Sequence, residues 1–187
     1  MTTLGANVIS LGVMGTRGVG FEVIARFLVG TGVPTITGHL GKTSREAIMV
    51  GLAWVDHHLG CIDQWLGEDK EEDQEGQRVF SPDRDVAIHF SNVGTLSKTG
   101  FSLGAAAATA VVASYLNDCY DMPLKKGTAI TGEINLSGQV LPVADISIKI
   151  KAAKRLGTTQ RTWIPSAQHW LRPIGYGLNS TCLRLRT

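Results

Sequence analysis

A glycine-rich loop and the alanine-rich run after it constrain the fold of this chain more than any other stretch. The loop is Thr99-Gly100-Phe101-Ser102-Leu103-Gly104, and alanine and valine dominate residues 105–113. Alanine favours the helix most, so the pattern predicts Ser102 at or near a helix amino terminus. Free N–H groups and the helix dipole stabilise an anion there, including the oxyanion of acyl transfer. Two roles stay open for Ser102, a helix N-cap or a nucleophile.

Composition argues against several classes of protein. The 187 residues suffice for one domain with a core, and a net charge of +2 without a basic tract argues against a nucleic-acid partner. Cys61, Cys119 and Cys182 lie far apart, which is typical of free thiols in a reducing compartment. No signal peptide and no apolar run of membrane-spanning length is recognisable. We therefore expect an intracellular protein, in the cytoplasm of a cell or a host, with no membrane partner.

Hydrophobic patterns predict a mixture of strands and helices. Helices are predicted at about residues 44–58, 105–116 and 146–156, the last closed by Gly157. Residues 67–78 are expected to form a polar, mostly acidic loop. Strands are predicted at residues 7–13, 21–29, 34–37, 85–91, 128–134, 139–143 and 162–165, the first three as a hairpin or meander. This order predicts an α+β, or mixed α/β, domain with helices packed on small sheets.

Two other motifs do not indicate a binding site. Gly41-Lys42-Thr43 looks like the end of a phosphate-binding loop, but Ile36 stands where that motif needs its first glycine. The adjacent His57 and His58 should point to different sides of a helix, and no partner lies at metal-ligand spacing. We therefore expect neither a metal nor another cofactor.

A nucleophilic Ser102 needs a base. His89 lies on the strand before the serine loop, but its candidate partner Asp85 is about 13 Å away along the strand. His89 is therefore expected to be an exposed strand histidine. A lysine base must be desolvated, so that its amine is neutral. Lys149 fits, because isoleucines and alanines surround it in residues 146–153.

Several motifs resemble the proteolytic domain of Lon proteases. They are Thr37-Gly38-His39-Leu40-Gly41, Ser44-Arg45-Glu46-Ala47, Ala129-Ile130-Thr131-Gly132-Glu133-Ile134 and Val140-Leu141-Pro142-Val143. The resemblance covers about residues 8–168. It implies one Lon-type domain over residues 1–187 that acts on protein or peptide substrates and can form homo-oligomers. These residues contain no ATPase module.

The resemblance also implies a serine–lysine dyad. Ser102 stands at the nucleophile of a PKDGPSAG-like loop, in which Gly100 is kept and Phe101 replaces proline. Lon proteases place their lysine five residues after the proline of VLPI, where Ser147 stands here. The related birnavirus polyprotein proteases place it seven residues after that proline, where Lys149 stands. Lys149 therefore ranks first as the base, Lys151 second, and no lysine at all third.

Two functions follow from these motifs. The first is a serine endopeptidase, either one domain of a longer protein or a self-released viral protease that processes a polyprotein. In that reading Thr131 holds the lysine amine, and backbone N–H groups at Gly100, Phe101 and Ser102 bind the oxyanion. The second is a catalytically inactive Lon-like domain that serves as a scaffold or binding module.

Overall fold

A mixed six-stranded sheet forms the centre of the fold. The structure is a computed structural model that describes residues 7–66, 84–91, 97–158 and 160–162. The sheet order is β3-β4-β2-β1-β5-β8, and a separate two-stranded ladder joins β6 and β7. The strands are β1 (Asn7–Met14), β2 (Arg17–Val29), β3 (Thr35–Thr37), β4 (Arg84–Phe90), β5 (Thr128–Ile130), β6 (Glu133–Ile134), β7 (Val140–Leu141) and β8 (Gln160–Thr162). The predicted α+β class is confirmed.

Helices cover both faces of the sheet. On one face α2 (Gly104–Tyr120) packs directly on the sheet and α1 (Lys42–Trp65) packs against α2, in a core that includes Val8 of β1. The helix α3 (Ile146–Arg155) packs on the other face, where Ala153 clusters with Leu11 and Ala129. Both sides of β1 are used because successive side chains of a strand point to opposite faces. As predicted, α2 is buried on nearly all sides.

The hairpin of β1 and β2 confirms the first two predicted strands. Its register pairs Met14 with Arg17, and Gly15 takes the positive φ of 59° that its tight turn requires. Gly18 and Gly20, however, lie within β2 and not in the turn. A Cβ at Gly18 would come within 2.5 Å of Ile148 O, so this glycine lets α3 lie directly on the strand.

Two predictions about strand order are wrong. The third strand does not continue a meander, because β3 pairs parallel with β4 at the edge of the sheet. Residues 128–134 do not form one strand either, because Thr131 and Gly132 leave the sheet between β5 and β6. There the Gly132 N–H donates to Ser102 O at 3.3 Å, and Gly132 O accepts from Ala105 N–H at 3.2 Å. Backbone bonding to the serine loop thus replaces pairing within the sheet.

The remaining helices and strands agree with their predicted positions, except that β8 shares only Thr162 with the last predicted strand. α1 and α2 are longer than predicted, and α2 ends only where Asp121 adopts a left-handed conformation with φ of 51°. α3 is followed by Gly157 at φ of 65°, as predicted. The predicted acidic loop at residues 67–78, and residues 163–165 of the last predicted strand, lie outside the described residues. None of the described helices has the length and apolar character that crossing a membrane requires.

Candidate active site

The segment around the start of α1 holds the serine loop in place. The Lys98 N–H donates to His39 O at 2.8 Å, and Lys98 O accepts from Gly41 N–H at 2.9 Å. The buried hydroxyl of Ser44 lies 3.0 Å from Lys98 O and 3.1 Å from Gly100 O. These bonds fix the backbone that leads to Ser102, although the two segments are far apart in sequence.

Ser102 lies at a helix start, as predicted. It is half-buried in a 3₁₀ turn, Phe101–Leu103, that runs directly into α2. Gly100 precedes the turn with φ of 107°, a conformation that side chains disfavour. The cap positions are Gly100 for the turn and Leu103 for α2, and neither has a side-chain cap bond. Ser102 is therefore not a helix cap.

The second glycine of the loop lets α1 and α2 approach closely. A Cβ at Gly104 would lie 2.7 Å from Ala47 O, and one at Gly51 would lie 2.6 Å from Gly104 O. Both distances are far below ordinary van der Waals contact. The start of α2 is thus packed directly on the backbone of α1, which makes Ser102 part of a rigid arrangement.

Lys149 is a buried lysine on the inner side of α3. Only 5% of its surface is exposed, and it shares the buried side of the helix with Ala152 and Ala153. Burial lowers its pKa from the ordinary value of 10.5, and the nearby charge of Asp145 acts in the opposite direction. The desolvation that the apolar neighbours of Lys149 predict is therefore present.

The two neighbouring candidates on α3 have different surroundings. Ser147 and Lys151 are both exposed, and neither lines the pocket that contains Ser102. Two residues along a helix correspond to a rotation of about 200°. A helix that turns Lys149 inward therefore turns both of these residues away.

Ser102 and Lys149 line the same pocket, which has a volume of about 610 Å³. Its walls come from the β1–β2 hairpin, the serine loop, and the segment between β7 and α3. Among the described residues, the Ser102 hydroxyl and the Lys149 amine form no hydrogen bond with each other. The lining residues are Gly12, Val13, Met14, Gly15, Val19, Phe21, Ser97, Lys98, Thr99, Gly100, Phe101, Ser102, Leu103, Glu133, Pro142, Val143, Ala144, Asp145 and Lys149.

Thr131 directly precedes Gly132, whose N–H donates to Ser102 O, and its own hydroxyl is unsatisfied. The residue is buried, and no described group forms a hydrogen bond with its Oγ1. Buried hydroxyls normally have a partner, so an unpartnered one indicates a place where a donor or acceptor can bind.

His89 and Asp85 have other partners. The exposed His89 bonds through Nδ1 to Thr37 Oγ1 at 2.8 Å and does not line the pocket. One carboxylate oxygen of Asp85 accepts the N–H groups of residues 31–33 at 2.6–2.9 Å. These contacts agree with the predicted non-catalytic role of His89.

The expectation that His57 and His58 point to different sides of α1 is wrong. Their rings touch edge to face, with centroids 4.8 Å apart, and His58 also stacks on Trp54 at 4.7 Å. A hydrogen bond of 2.8 Å joins His58 Nδ1 to Trp54 O. Over the described ranges, no three residues of the histidine, cysteine, aspartate and glutamate types group as metal ligands would.

Sequence reasoning missed several residues of the pocket wall. Lys98, Glu133 and Asp145 bring charges into the pocket, and Gly12 and Met14 contribute its β1 side. For Lys98 the available signal was its place four residues before Ser102. The part played by β1 had no local signal, because tertiary packing alone places the hairpin beside the serine loop.

Comparison with known proteins gives consistent matches. Residues 6–170 match the family model for the Lon protease (S16) C-terminal proteolytic domain. The chain is 40% identical over 135 residues to a Lon protease of Koribacter versatilis, covering 72% of this chain and 14% of that protein. It is 37% identical over 128 residues to the peroxisomal Lon protease homolog 2 of Caenorhabditis elegans, covering 68% and 14%.

The matched segment therefore spans about one seventh of these curated relatives. Both are Lon proteases of cellular organisms, so the prediction of a viral, polyprotein-processing enzyme finds no support in them. The family model covers all of the described residues, including the serine loop, the β5–β6 connection and α3. The chain belongs to the family of Lon protease (S16) C-terminal proteolytic domains.

Proposed function

We propose that this chain is a serine endopeptidase domain that hydrolyses peptide bonds in protein substrates with a Ser102–Lys149 dyad. The observation that carries the proposal is the shared pocket of a serine at a helix start and a buried lysine. Family membership supports peptidase activity. Protein substrates and assembly into homo-oligomers are proposed from the family. The proposed cleavage by Ser102 and Lys149 involves no ATPase step.

Lys149 acts as the general base and then as the general acid. Its neutral amine takes the proton from Ser102 Oγ while this oxygen attacks the peptide carbonyl carbon. The proton passes to the leaving amine as the C–N bond breaks, and an acyl-enzyme remains. Lys149 then takes a proton from water, whose oxygen attacks the ester carbonyl carbon. As the bond from this carbon to Ser102 Oγ breaks, Lys149 returns the proton to Oγ and the acid product leaves.

Burial of Lys149 supports this role, because a base must be unprotonated before it can accept a proton. The lowered pKa of Lys149 enlarges its neutral fraction at a given pH. Asp145, whose charge raises that pKa, keeps the amine basic enough to take a proton. Catalytic hydrogen bonds are often formed only once substrate is bound, so a missing Ser102–Lys149 bond does not oppose the proposal.

Backbone N–H groups at the start of the 3₁₀ turn are the proposed oxyanion donors. The first N–H groups of a helical segment have no acceptor within it, which leaves those of Phe101 and Ser102 available. They belong to a segment that Ser44, Gly104 and Gly132 hold through backbone contacts. Donors that are fixed in advance stabilise the transition state without having to reorganise.

The carboxyl-terminal half of β1 offers a place for the substrate backbone. Among the described residues, β1 pairs with β5 only at Ile9 and Ser10, whereas Gly12, Val13 and Met14 line the pocket. An extended peptide can add to such an open strand edge through backbone hydrogen bonds. We infer that a substrate lies along this edge, with its scissile carbonyl at Ser102.

Thr131 is the proposed hydrogen-bond partner of the Lys149 amine. Ala129, two residues before Thr131, packs on the α3 side with Ala153, and Lys149 precedes Ala153 by one helical turn. The unsatisfied Oγ1 of Thr131 supports this pairing. When the Thr131 hydroxyl accepts a hydrogen bond from the neutral Lys149 amine, the lone pair of the amine nitrogen can point toward Ser102.

A second candidate function is an inactive Lon-like domain that serves as a scaffold or binding module. Two observations favour it: Ser147 stands where the resemblance places the Lon lysine, and Phe101 replaces the proline of the family's serine loop. Under this alternative, the pocket binds peptides without cleaving them.

Cleavage of an unfolded protein substrate tests the proposal. Ser102→Ala and Lys149→Met should each abolish cleavage, and a fluorophosphonate probe should label Ser102 in the wild type, as mapped by mass spectrometry. Lys151→Met tests the other lysine. If this variant were inactive while Lys149→Met still cleaved, the base would be Lys151. A wild type that neither cleaves nor reacts with the probe would favour the inactive alternative.

A further inference from the structure

A second lysine has a fixed position in the pocket and no part in the proposed reaction. The backbone of Lys98 is held by its bonds to His39 and Gly41 and by the contact with the Ser44 hydroxyl. The two backbone bonds pair Lys98 with Leu40 as in a parallel sheet. This residue is therefore anchored through its main chain, independently of its side chain.

The side chain of Lys98 lies over an aromatic ring in the pocket. Its ammonium is 5.3 Å from the ring centroid of Phe21, which is 7% exposed, and both residues line the pocket with Ser102. A cation at this distance from a ring face is attracted by the ring quadrupole. Burial lowers the pKa of Lys98, so part of its hydration is lost before any ligand arrives.

Other charges in the pocket make the location of Lys98 distinctive. Glu133 on β6 and Asp145 before α3 also line it, and Asp145 acts electrostatically on Lys149. A carboxylate in the pocket is repelled by these two acidic residues and attracted by Lys98. Because Lys98 has lost part of its hydration, such an attraction is stronger than one to a fully exposed lysine.

We propose that Lys98 binds a carboxylate of the peptide substrate, so that the domain selects peptides with an acidic group close to the scissile bond. This inference rests on the proposed function, because a bound peptide is a substrate only if the domain cleaves peptides. The carboxylate can come from an aspartate or glutamate side chain or from the carboxyl end of a peptide. The two sources share the same chemistry and are separated by the experiment.

Binding to an uncleavable form of the domain is the test. In the Ser102→Ala background, fluorescence anisotropy compares peptides with glutamate or glutamine at successive positions, each with a free or an amidated carboxyl end. We expect at least one carboxylate to strengthen binding about tenfold, and added salt to weaken that preference. Failure of the peptidase proposal would leave this binding preference measurable.

Three variants assign the preference to Lys98. Lys98→Met keeps an apolar contact with Phe21 and removes the charge, and should bring the preference close to onefold. Lys98→Arg keeps the charge and should therefore keep most of the preference. Lys154→Met, which removes an exposed lysine outside the pocket, matches the change in net charge and should leave the preference unchanged.

The outcomes separate clearly. A glutamate preference that is lost in Lys98→Met supports recognition of an acidic side chain. A preference for a free carboxyl end that is lost in the same variant supports recognition of the peptide terminus. Equal binding of all peptides by the Ser102→Ala protein, or an unchanged preference in Lys98→Met, would overturn the proposal.

Discussion

Ser102 and Lys149 line one pocket from two different helical segments, the turn before α2 and the inner side of α3. The serine is held by backbone contacts from three directions. The lysine is held by the packing of α3 on the β1–β2 hairpin, where Gly18 lets Ile148 come close. Substitutions of the Ser102 or Lys149 side chain should therefore change cleavage without disrupting the fold.

Lys149→Met should abolish cleavage and yet raise the free energy of unfolding at pH 7 by about 1 kcal/mol. Methionine keeps most of the buried apolar stem and removes the cost of burying an ammonium. Urea unfolding of the purified variant measures the change. A clear loss of stability would contradict the view that burial of Lys149 destabilises the fold and serves catalysis instead.

The pH dependence of wild-type stability should carry the signature of Lys149. The folded-state pKa is lowered, whereas the unfolded chain keeps the ordinary value of 10.5. Between those values the unfolded state binds more protons, so stability rises with pH across this window. Lys149→Met should show a smaller rise in urea unfolding from pH 7 to 10, because only the contribution of Lys98, whose pKa is also lowered, remains. In the wild type, the cleavage rate should also rise with pH toward the folded-state pKa.

Thr131→Val should reduce kcat about tenfold while leaving stability unchanged or slightly higher. The variant removes a buried hydroxyl that has no partner among the described residues. Thr128→Val is the matched control, because the buried Thr128 hydroxyl donates to Lys125 O at 2.8 Å. That control should lose about 1 kcal/mol of stability and keep its kcat. Equal kinetic effects of the two variants would remove Thr131 from the site.

Phe101→Ala should raise KM and leave folding nearly unchanged. Its side chain is 51% exposed at the pocket, so truncation should change stability by no more than about 0.5 kcal/mol. Leu103→Ala provides the contrast, because this neighbour is 3% exposed and should cost about 2–4 kcal/mol. Steady-state kinetics and thermal unfolding measure both effects, and an unchanged KM in Phe101→Ala would exclude a substrate contact.

Gly138→Ala should destabilise the protein by about 2 kcal/mol or more. Its φ is 78°, and a Cβ would lie 2.3 Å from Nε1 of Trp54 on α1. Gly157→Ala is the control, because Gly157 also has positive φ, at 65°, but no atom of the described residues lies within 4 Å of an added Cβ. It should cost only about 1 kcal/mol, from the backbone alone. Equal costs in chemical denaturation would show that the Trp54 contact is unimportant.

Asp85→Asn should lower the melting temperature near neutral pH and flatten its acid dependence. The Val33 N–H, followed by those of Thr31 and Gly32, holds the pKa of Asp85 below 3.8, although burial opposes this. A lowered folded-state pKa gives stability that is complete above the unfolded value and is lost as pH falls through the folded value. Thermal unfolding from pH 6 to 2.5 compares the two proteins, and parallel curves would contradict this role.

The sequence by itself determined most of the local structure. Alternation predicted β4, the alanine run predicted α2, and the small residues around Ser102 placed it at a helix start, because these signals depend on near neighbours. The Lon motifs predicted the family. Strand order was less accessible, since β3 pairs with β4, which follows only after the long helix α1.

Only the tertiary structure decided which lysine of α3 lines the pocket that contains Ser102. Lys149 and Lys151 both lie on α3, and spacing alone leaves either one to face inward. The left-handed Asp145, with φ of 57°, precedes α3, and Ala153 packs on Leu11 of β1. Together they fix the rotation of the helix, which buries Lys149 and exposes Lys151. The position of Lys98 over Phe21 was equally inaccessible from the sequence, because it needs the close approach of distant segments.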